Sequence, residues 1–138
     1  MSSPFLPRAC RADDRVRLAA LLDRLGDRAA AERLLPAPGA ALTPDGQLAY
    51  GRLLLRFGKP DAALEVFRAR LAAGDDPEAL RRAGELELQR GNLAAAGDYY
   101  RRLTRLAPGD LAAARLAYRL ALERKDLAGG AALLRQAV

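Results

Sequence analysis

The side chains of this 138-residue chain that could perform acid–base chemistry are carboxylates. General acid–base catalysis uses such groups in pairs, and the chain offers Asp13-Asp14, Asp75-Asp76 and Glu85/Glu87. The first two pairs stand at predicted helix starts, where acidic residues stabilise the helix dipole. Glu85 and Glu87 are two residues apart, so they point in different directions on a helix. Capping and solvation therefore account for all three pairs, and we expect no enzymatic activity.

The residue types that are missing exclude most other site chemistry. The sequence contains no histidine, which removes histidine-based catalysis and nearly all zinc, haem and non-haem iron sites. Its single cysteine, Cys10, excludes an internal disulfide and a multi-cysteine metal site. No glycine-rich phosphate loop is present, because Gly129-Gly130 lacks the lysine and hydroxyl residue that would follow. We therefore predict no metal, no cofactor and no small-molecule substrate.

Two short motifs could serve a function or could be incidental to the fold. Cys10 lies between Arg8 and Arg11, and neighbouring cations lower a thiol pKa, which could make it reactive, but an incidental thiol is the interpretation we favour. Tyr99-Tyr100 precedes Arg101-Arg102, a pattern that could stack nucleic-acid bases. Helical spacing instead places Tyr100 in the core and the arginines outward. Nucleic acid is therefore an unlikely partner.

Composition predicts an all-α fold. Alanine and leucine together number 58, whereas the chain has three valines, two threonines and no isoleucine. Such scarcity of β-branched residues argues against a sheet, and alanine, leucine, arginine and glutamate favour helices. The net charge of +6 comes from 21 arginines and two lysines against 17 acids. It is spread as +2, 0, +1 and +3 over residues 1–43, 44–76, 77–110 and 111–138, so no concentrated basic arm exists.

The elements that would position any site repeat along the chain with periods of 33 and 34 residues. Gly51 and Gly84 correspond, as do the turn residues Gly58 and Gly91. Ala63 corresponds to Ala96, and Phe67 to Tyr100; Pro108 closes the second unit. Apolar residues follow the helical period in both halves of each unit. Thr43, Asp76 and Asp110 are predicted N-caps, two of them followed by proline. Such stacked helical hairpins would share one continuous core.

We predict eight helices in four antiparallel pairs. Their expected bounds are about 13–25, 28–35, 46–57, 60–73, 77–90, 93–106, 111–124 and 127–137. Residues 1–11 form a flexible N-terminal arm, and residues 12–138 form the repeat domain. Within that domain we expect a degenerate hairpin (12–35), a linker (36–43) and repeats at 44–76, 77–110 and 111–138.

With these features the chain resembles the tetratricopeptide repeat family, well over residues 44–138 and weakly over 12–35. The resemblance implies a right-handed superhelical solenoid of about four hairpins. It also implies a non-catalytic scaffold or adaptor that binds proteins on a concave face, lined by the first helix of each pair. The lysine and asparagine pattern with which one subtype grips chaperone tails is missing, so we do not predict that partner.

Mapped onto this chain, the concave face predicts an arginine-walled groove with a leucine floor. The side chains at i, i+4 and i+7 share a helix face, and three helices contribute Leu48, Arg52 and Leu55; Arg81, Glu85 and Leu88; and Arg115, Arg119 and Leu122. Such a groove suits a protein segment or helix with apolar anchors and acidic flanks.

Two alternatives remain. A stripe of Leu127, Ala131, Leu134 and Val138 in the last helix would let the chain form a homo-oligomer, as a structural assembly subunit in bacterial secretion or surface assembly would. A basic nucleic-acid-binding repeat is the weaker alternative.

No apolar run reaches the roughly 18 residues of a membrane span. Residues 1–10 do not resemble a secretory signal, so we expect a cytoplasmic location.

Overall fold

The computed structural model describes residues 8–37, 39–123 and 135. This part of the chain contains seven α-helices and no strand, which confirms the all-α class. The helices are α1 (Arg8–Arg24), α2 (Arg28–Leu34), α3 (Pro44–Arg56), α4 (Pro60–Ala72), α5 (Pro77–Gln89), α6 (Leu93–Leu106) and α7 (Leu111–Glu123).

Side-chain caps start several of these helices as predicted. Thr43, Asp76 and Asp110 each accept a hydrogen bond from the backbone N–H three residues later, at 3.1, 2.9 and 3.1 Å. Each bond satisfies one of the N–H groups that a helix leaves unpaired at its start. Asn92 occupies the cap position of α6 without a side-chain bond. Asp27, which was not predicted as a cap, caps α2 by accepting the Ala30 N–H at 3.0 Å.

Three hairpin turns share one backbone geometry. Gly26, Gly58 and Gly91 have φ values of +91°, +71° and +75°, a region that residues with a Cβ rarely adopt. The N–H of the residue after each glycine reaches back five residues, to the carbonyls of Leu22, Leu54 and Glu87, at 2.8–2.9 Å. These are Schellman turns, which satisfy the last carbonyls of a helix. The first hairpin therefore ends its leading helix in the same way as the two repeats after it.

The chain divides into two compact units, and the first extends to Val66. In it α1 packs against α2 and α3, around buried residues that include Val16, Ala19, Ala31 and Leu53. The connector between α2 and α3 is held near both ends. The Tyr50 hydroxyl donates to the carbonyl of Pro36 at 2.9 Å, and Thr43 binds Asp13. Burial raises the pKa of Tyr50.

The second unit begins at Phe67, and in it α6 packs against both α5 and α7. Its core is made of small and apolar side chains, among them Leu80, Ala83, Ala96, Leu103 and Ala114, with the ring of Tyr100 between them. The helices joined by Gly91 must run antiparallel, because a short turn connects two elements that pack side by side.

The described helices begin and end within two residues of the predicted bounds, except at the start of α1. This helix begins at Arg8, so residues 8–11 are helical although the sequence assigned them to an arm. Alanine and arginine favour helix, and no capping residue marks this start. The predicted eighth helix, 127–137, lies outside the described residues apart from Arg135. The domain boundaries proposed from the sequence stay a prediction.

Candidate functional site

The candidate site lies in the first unit, where α1 and α3 run side by side in the same direction. Near their amino-terminal ends, Asp13 of α1 binds Thr43, the cap of α3. Near their carboxyl-terminal ends, Asp23 of α1 binds Arg56 of α3 at 2.6 Å. The partners are 30 and 33 residues apart in the chain, close to the repeat period. The first hairpin therefore takes the place of a repeat beside α3.

A buried carboxylate fixes the amino-terminal end of this helix pair. Asp13 is only 5% exposed and accepts hydrogen bonds from the Thr43 N–H, at 3.2 Å, and from the Thr43 hydroxyl. The same hydroxyl oxygen accepts the Gly46 N–H, so one threonine caps α3 and ties it to α1. A Cβ at Gly46 would collide with the Asp13 carboxylate. The close approach of the two helices therefore requires glycine at this position.

An open groove of about 460 Å³ runs along the surface between the two helices. Pockets that bind drug-sized ligands have volumes of about 300–1,000 Å³. The floor is apolar, since Val16 and Leu53 are buried and Leu21 is 50% exposed. Nine residues line it, of which α1 supplies Val16, Arg17, Ala20, Leu21 and Arg24, and α3 supplies Ala49, Arg52, Leu53 and Arg56.

The polar lining of the groove consists entirely of arginines. Arg17 is paired with Asp14 at 3.4 Å, and both side chains are exposed to solvent. Arg56 is held by Asp23, a carboxylate with a side chain only 10% exposed. Arg24 and Arg52 add two further exposed guanidinium groups. The groove therefore combines an apolar floor with a positively charged rim, which is suited to carboxylates beside apolar side chains.

A smaller cavity of about 190 Å³ adjoins this groove at the amino-terminal end of the helices. The two cavities share Val16, Arg17 and Ala49 as lining residues. The other lining residues of the smaller cavity are Asp13, Asp45 and Gly46. The smaller cavity therefore adds two carboxylates, Asp13 and Asp45, beside Arg17, which both cavities share.

Of the groove residues predicted from α3, the structure places only Arg52 in the lining of this cavity. Leu48 is 9% exposed and belongs to the core, because the i, i+4 and i+7 pattern does not distinguish the packed face of a helix from the open one. Leu55 is half-buried. The five α1 residues were not among those predicted, although α1 lies one repeat period before α3. That period is the signal that would have found them.

In the second unit, Arg81 of α5, which was predicted as a groove wall, forms an ion pair with Asp110. Arg81 Nη2 lies 2.6 Å from Asp110 Oδ2, on the residue that caps α7. The pKa of Asp110 is lowered, first by the Ala113 N–H and then by Arg81. Glu85 pairs with Arg82 at 3.5 Å, and Leu88 is half-buried. Arg81 therefore links α5 to the start of α7.

The residues predicted from α7 are all exposed. Arg115 and Arg119 lie at the surface, and Leu122 is 38% exposed. The proposed oligomer stripe, Leu127, Ala131, Leu134 and Val138, lies outside the described residues. The side chain of Cys10 is likewise outside them.

The ring of Tyr100 packs directly against Gly84. A Cβ at Gly84 would lie 2.9 Å from the ring, and the three nearest atoms all belong to Tyr100. Burial raises the pKa of Tyr100 to about 12, with a further increase from Glu85 and an opposing effect of Arg81. The small residue therefore accommodates an aromatic ring within the same helical hairpin.

The candidate catalytic carboxylates have structural roles. Asp75 binds Arg102, Asp76 caps α5, and Glu87 is fully buried beside Arg68. Hydrogen bonding with Tyr99 and, next, the charge of Glu87 raise the pKa of Arg68 against the effect of burial. Among the described residues, no cluster of three or more acidic, cysteine or histidine side chains could hold a metal ion. No described helix is both long and apolar enough to cross a membrane.

Comparison with known proteins gives one family. A family model described as Tetratricopeptide repeat matches residues 48–110, from α3 to the cap of α7. The comparison with curated proteins found no match. The matched region contains the Gly58 and Gly91 turns, whereas α1 and α2 lie before it.

Proposed function

Because a tetratricopeptide repeat model matches residues 48–110, we propose that the chain binds an acidic, partly apolar segment of a protein partner in the groove between α1 and α3. Repeats of this family generally mediate protein–protein interaction and are typically non-catalytic. The observation that carries the proposal is the apolar floor, open to solvent and bordered by four arginines. Docking a helix in an apolar groove is a common mode of peptide recognition.

The groove is held in place before any partner binds. The Asp13–Thr43 contact fixes one end of the two helices, and the Asp23–Arg56 pair fixes the other. A binding surface that is already ordered avoids part of the entropy cost of association. Leu21 supplies apolar area that is not yet buried, and the guanidinium groups supply charge-assisted hydrogen bonds to carboxylates.

A titration with two synthetic peptides tests the proposal. Both are three-turn amphipathic helices with leucines at i, i+4 and i+7, one flanked by glutamates and the other by lysines. We expect the wild-type chain to bind the glutamate peptide and not the lysine peptide. Arg17→Glu/Arg24→Glu should weaken the glutamate peptide at least tenfold, which corresponds to about 1.4 kcal/mol.

The matched control is Arg33→Glu, an exposed arginine of α2 that does not line the groove. It should leave the peptide affinity unchanged, while Leu21→Ser should lower it by removing floor area. Equal affinity for the two peptides, or full affinity in Arg17→Glu/Arg24→Glu, would overturn the assignment to this groove.

The exposed α7 residues form the remaining part of the predicted binding surface. Arg115→Glu/Arg119→Glu tests them without disturbing the Arg81–Asp110 pair. If these changes weaken the glutamate peptide and the α1 changes do not, the binding site lies in the second unit, and the α1–α3 groove is rejected.

A further inference from the structure

The outer side of α1 carries a row of exposed leucines. Leu18, Leu21 and Leu25 are 48%, 50% and 81% exposed, and their spacing of three and four residues places them on one side of the helix. Leu25 directly follows α1 and continues its bonding pattern, since its N–H donates to the Leu21 carbonyl at 3.0 Å. The opposite side packs in the core through Val16 and Ala19, which are almost fully buried. The helix is therefore apolar on both sides, which is typical of a helix that is covered on both.

The other large apolar residues that are exposed in the described part of the chain do not form such a row. They stand at or near the ends of α6 and α7: Leu93, Leu106, Leu111 and Leu122. Single exposed leucines are common on protein surfaces, whereas a contiguous apolar patch marks an interaction site. The leucine row of α1 (Leu18, Leu21 and Leu25) therefore needs an explanation that the isolated leucines do not.

The leucine row adjoins the α1–α3 groove. Leu21 belongs to both, since it also lines the groove, whereas Leu18 and Leu25 lie outside that lining. A helix with its side chains is about 10 Å wide. One helix seated beside α1 can therefore cover the groove and the leucine row together.

We propose that the partner segment binds as an amphipathic helix alongside α1, and that its apolar side covers the leucine row as well as the groove. The inference rests on the proposed function. It adds to that function the conformation of the partner and a second part of its footprint.

The spacing of the leucine row favours a helical occupant over an extended one. Along the axis of α1 the three leucines are separated by about 4.5 and 6 Å, at 1.5 Å per residue. A partner helix with apolar residues at the same alternating spacing presents them at matching heights, as paired helices do in coiled coils. An extended segment presents the side chains of one side every 6.6 Å or about that distance, so it falls out of step with the row.

The charged groups of α1 favour a partner helix with acidic flanks. Arg24 lines the groove and forms no ion pair with any residue in the described part of the chain. Arg17 pairs with Asp14 at 3.4 Å in an exposed contact, which an incoming carboxylate can replace at little cost. On the α3 side, Arg56 is already held by Asp23. The carboxylates of the partner therefore find their cations on α1, the helix that also carries the leucine row.

The first test changes the leucine row outside the groove. Leu18→Ser/Leu25→Ser should weaken the glutamate-flanked helical peptide by about tenfold or more, because truncating buried apolar anchors is costly. The matched control is Leu106→Ser/Leu111→Ser, which removes two leucines that are 45% and 52% exposed in the second unit. We expect the control to bind like the wild-type chain. Circular dichroism ensures that only folded variants are compared.

The second test fixes the conformation of the peptide. A hydrocarbon staple on the glutamate-free outer side of the peptide holds it as a helix, whereas a central proline prevents a continuous helix. We expect the stapled peptide to bind more tightly than the unstapled one, since it is already ordered, and the proline peptide to bind about tenfold less tightly.

The outcomes separate this inference from the proposed function. Full affinity in Leu18→Ser/Leu25→Ser, with a loss in Leu21→Ser and in Arg17→Glu/Arg24→Glu, would overturn the inference and leave the groove as the binding site. Weaker binding of the stapled peptide would show that the occupant is extended. No binding of any glutamate peptide to the wild-type chain would overturn both.

A second copy of the chain is the other possible cover of the leucine row, and sedimentation tests it. A wild-type dimer that becomes monomeric in Leu18→Ser/Leu25→Ser, with unchanged peptide affinity, would assign the row to self-association and overturn the inference. A wild-type chain that sediments as a monomer, with the expected loss of peptide affinity, would support it.

Discussion

At the scale of single residues, Glu87 of the second unit is a fully buried carboxylate. It lies in α5; its Oε1 binds Arg68, and its Oε2 has no hydrogen-bond partner in the described part of the chain. The equivalent position one period earlier is Leu54, a core residue. A buried carboxylate is retained at a cost in solvation that its partner must offset.

Arg68→Ala should therefore destabilise the chain, by about 1–3 kcal/mol, because it leaves a buried charge without its partner. Glu87→Leu should be neutral or stabilising, since replacing a buried ion pair by an apolar residue often is. The free energy of unfolding in urea measures both effects. In the Glu87→Leu background, Arg68→Ala should lose most of its effect; an undiminished loss would show that Arg68 acts through contacts other than Glu87.

Gly84→Ala tests the packing of Tyr100. Alanine favours helix over glycine by about 1 kcal/mol, but here its methyl group meets the ring at a distance that real contacts do not show. We expect a net loss of about 1–3 kcal/mol in unfolding free energy, as overpacking of a core typically causes.

Two variants make the Gly84 result specific. Tyr100→Leu should be less destabilising in the Gly84→Ala background than in the wild-type chain, because the methyl group then has room. Gly109→Ala, where a Cβ would meet nothing within 4 Å, should leave stability nearly unchanged. A Gly84→Ala variant as stable as the wild type would show that the ring moves aside at no cost.

At the scale of elements, helix ends were predictable because capping is local. Thr43, Asp76 and Asp110 accept hydrogen bonds from N–H groups three residues later. The N–H groups of Gly58 and Gly91 donate to carbonyls three residues earlier. Short sequence patterns therefore identify both kinds of helix end. The start of α1 was missed because no such residue marks Arg8.

The family match over residues 48–110 confirms the tetratricopeptide resemblance and, with the helices, a helical-repeat fold.

The proposed binding surface was less predictable from the sequence, because it depends on contacts between residues that are distant in the chain. Arg81 meets Asp110, 29 residues away, and Leu48 faces the core rather than the groove. Helical periodicity assigns residues to a common face, but it does not say which neighbouring helix covers that face. The part of the groove formed by α1 needed the pairing of α1 with α3.

Asp13→Ala tests that pairing. The change removes the acceptor of two Thr43 donors in a nearly buried position, so we expect a loss of about 1–3 kcal/mol. Amide hydrogen exchange in α1 should become faster as well. The neighbouring Asp14→Ala is the control, since its exposed pair with Arg17 should contribute less than about 1 kcal/mol. Equal effects of the two substitutions would contradict a special role of Asp13.

At the scale of the whole molecule, the net charge of +6 predicts some attraction to any polyanion. Its spread over the chain, and the pairing of Arg56, Arg68, Arg81 and Arg102 with carboxylates, lower the positive potential that a polyanion would meet. We expect a single-stranded oligonucleotide to bind weakly at low salt and to be released by about 0.15 M salt. The glutamate peptide should stay bound, because its leucines contribute a salt-independent part. Oligonucleotide binding that persists at that salt concentration would favour the nucleic-acid alternative.

The connector between α2 and α3 has a consequence for sequence variation. Because Tyr50 holds Pro36 and Asp13 holds Thr43, the residues between these two anchors do not set the position of either helix. Insertions and deletions should therefore be tolerated there, while they would shift the register of α1 or α3 if they fell inside a helix. Over evolutionary time this loop is where chains of this type should differ in length. In the laboratory, the Gly39–Ala40 junction is accordingly the place to insert a reporter epitope.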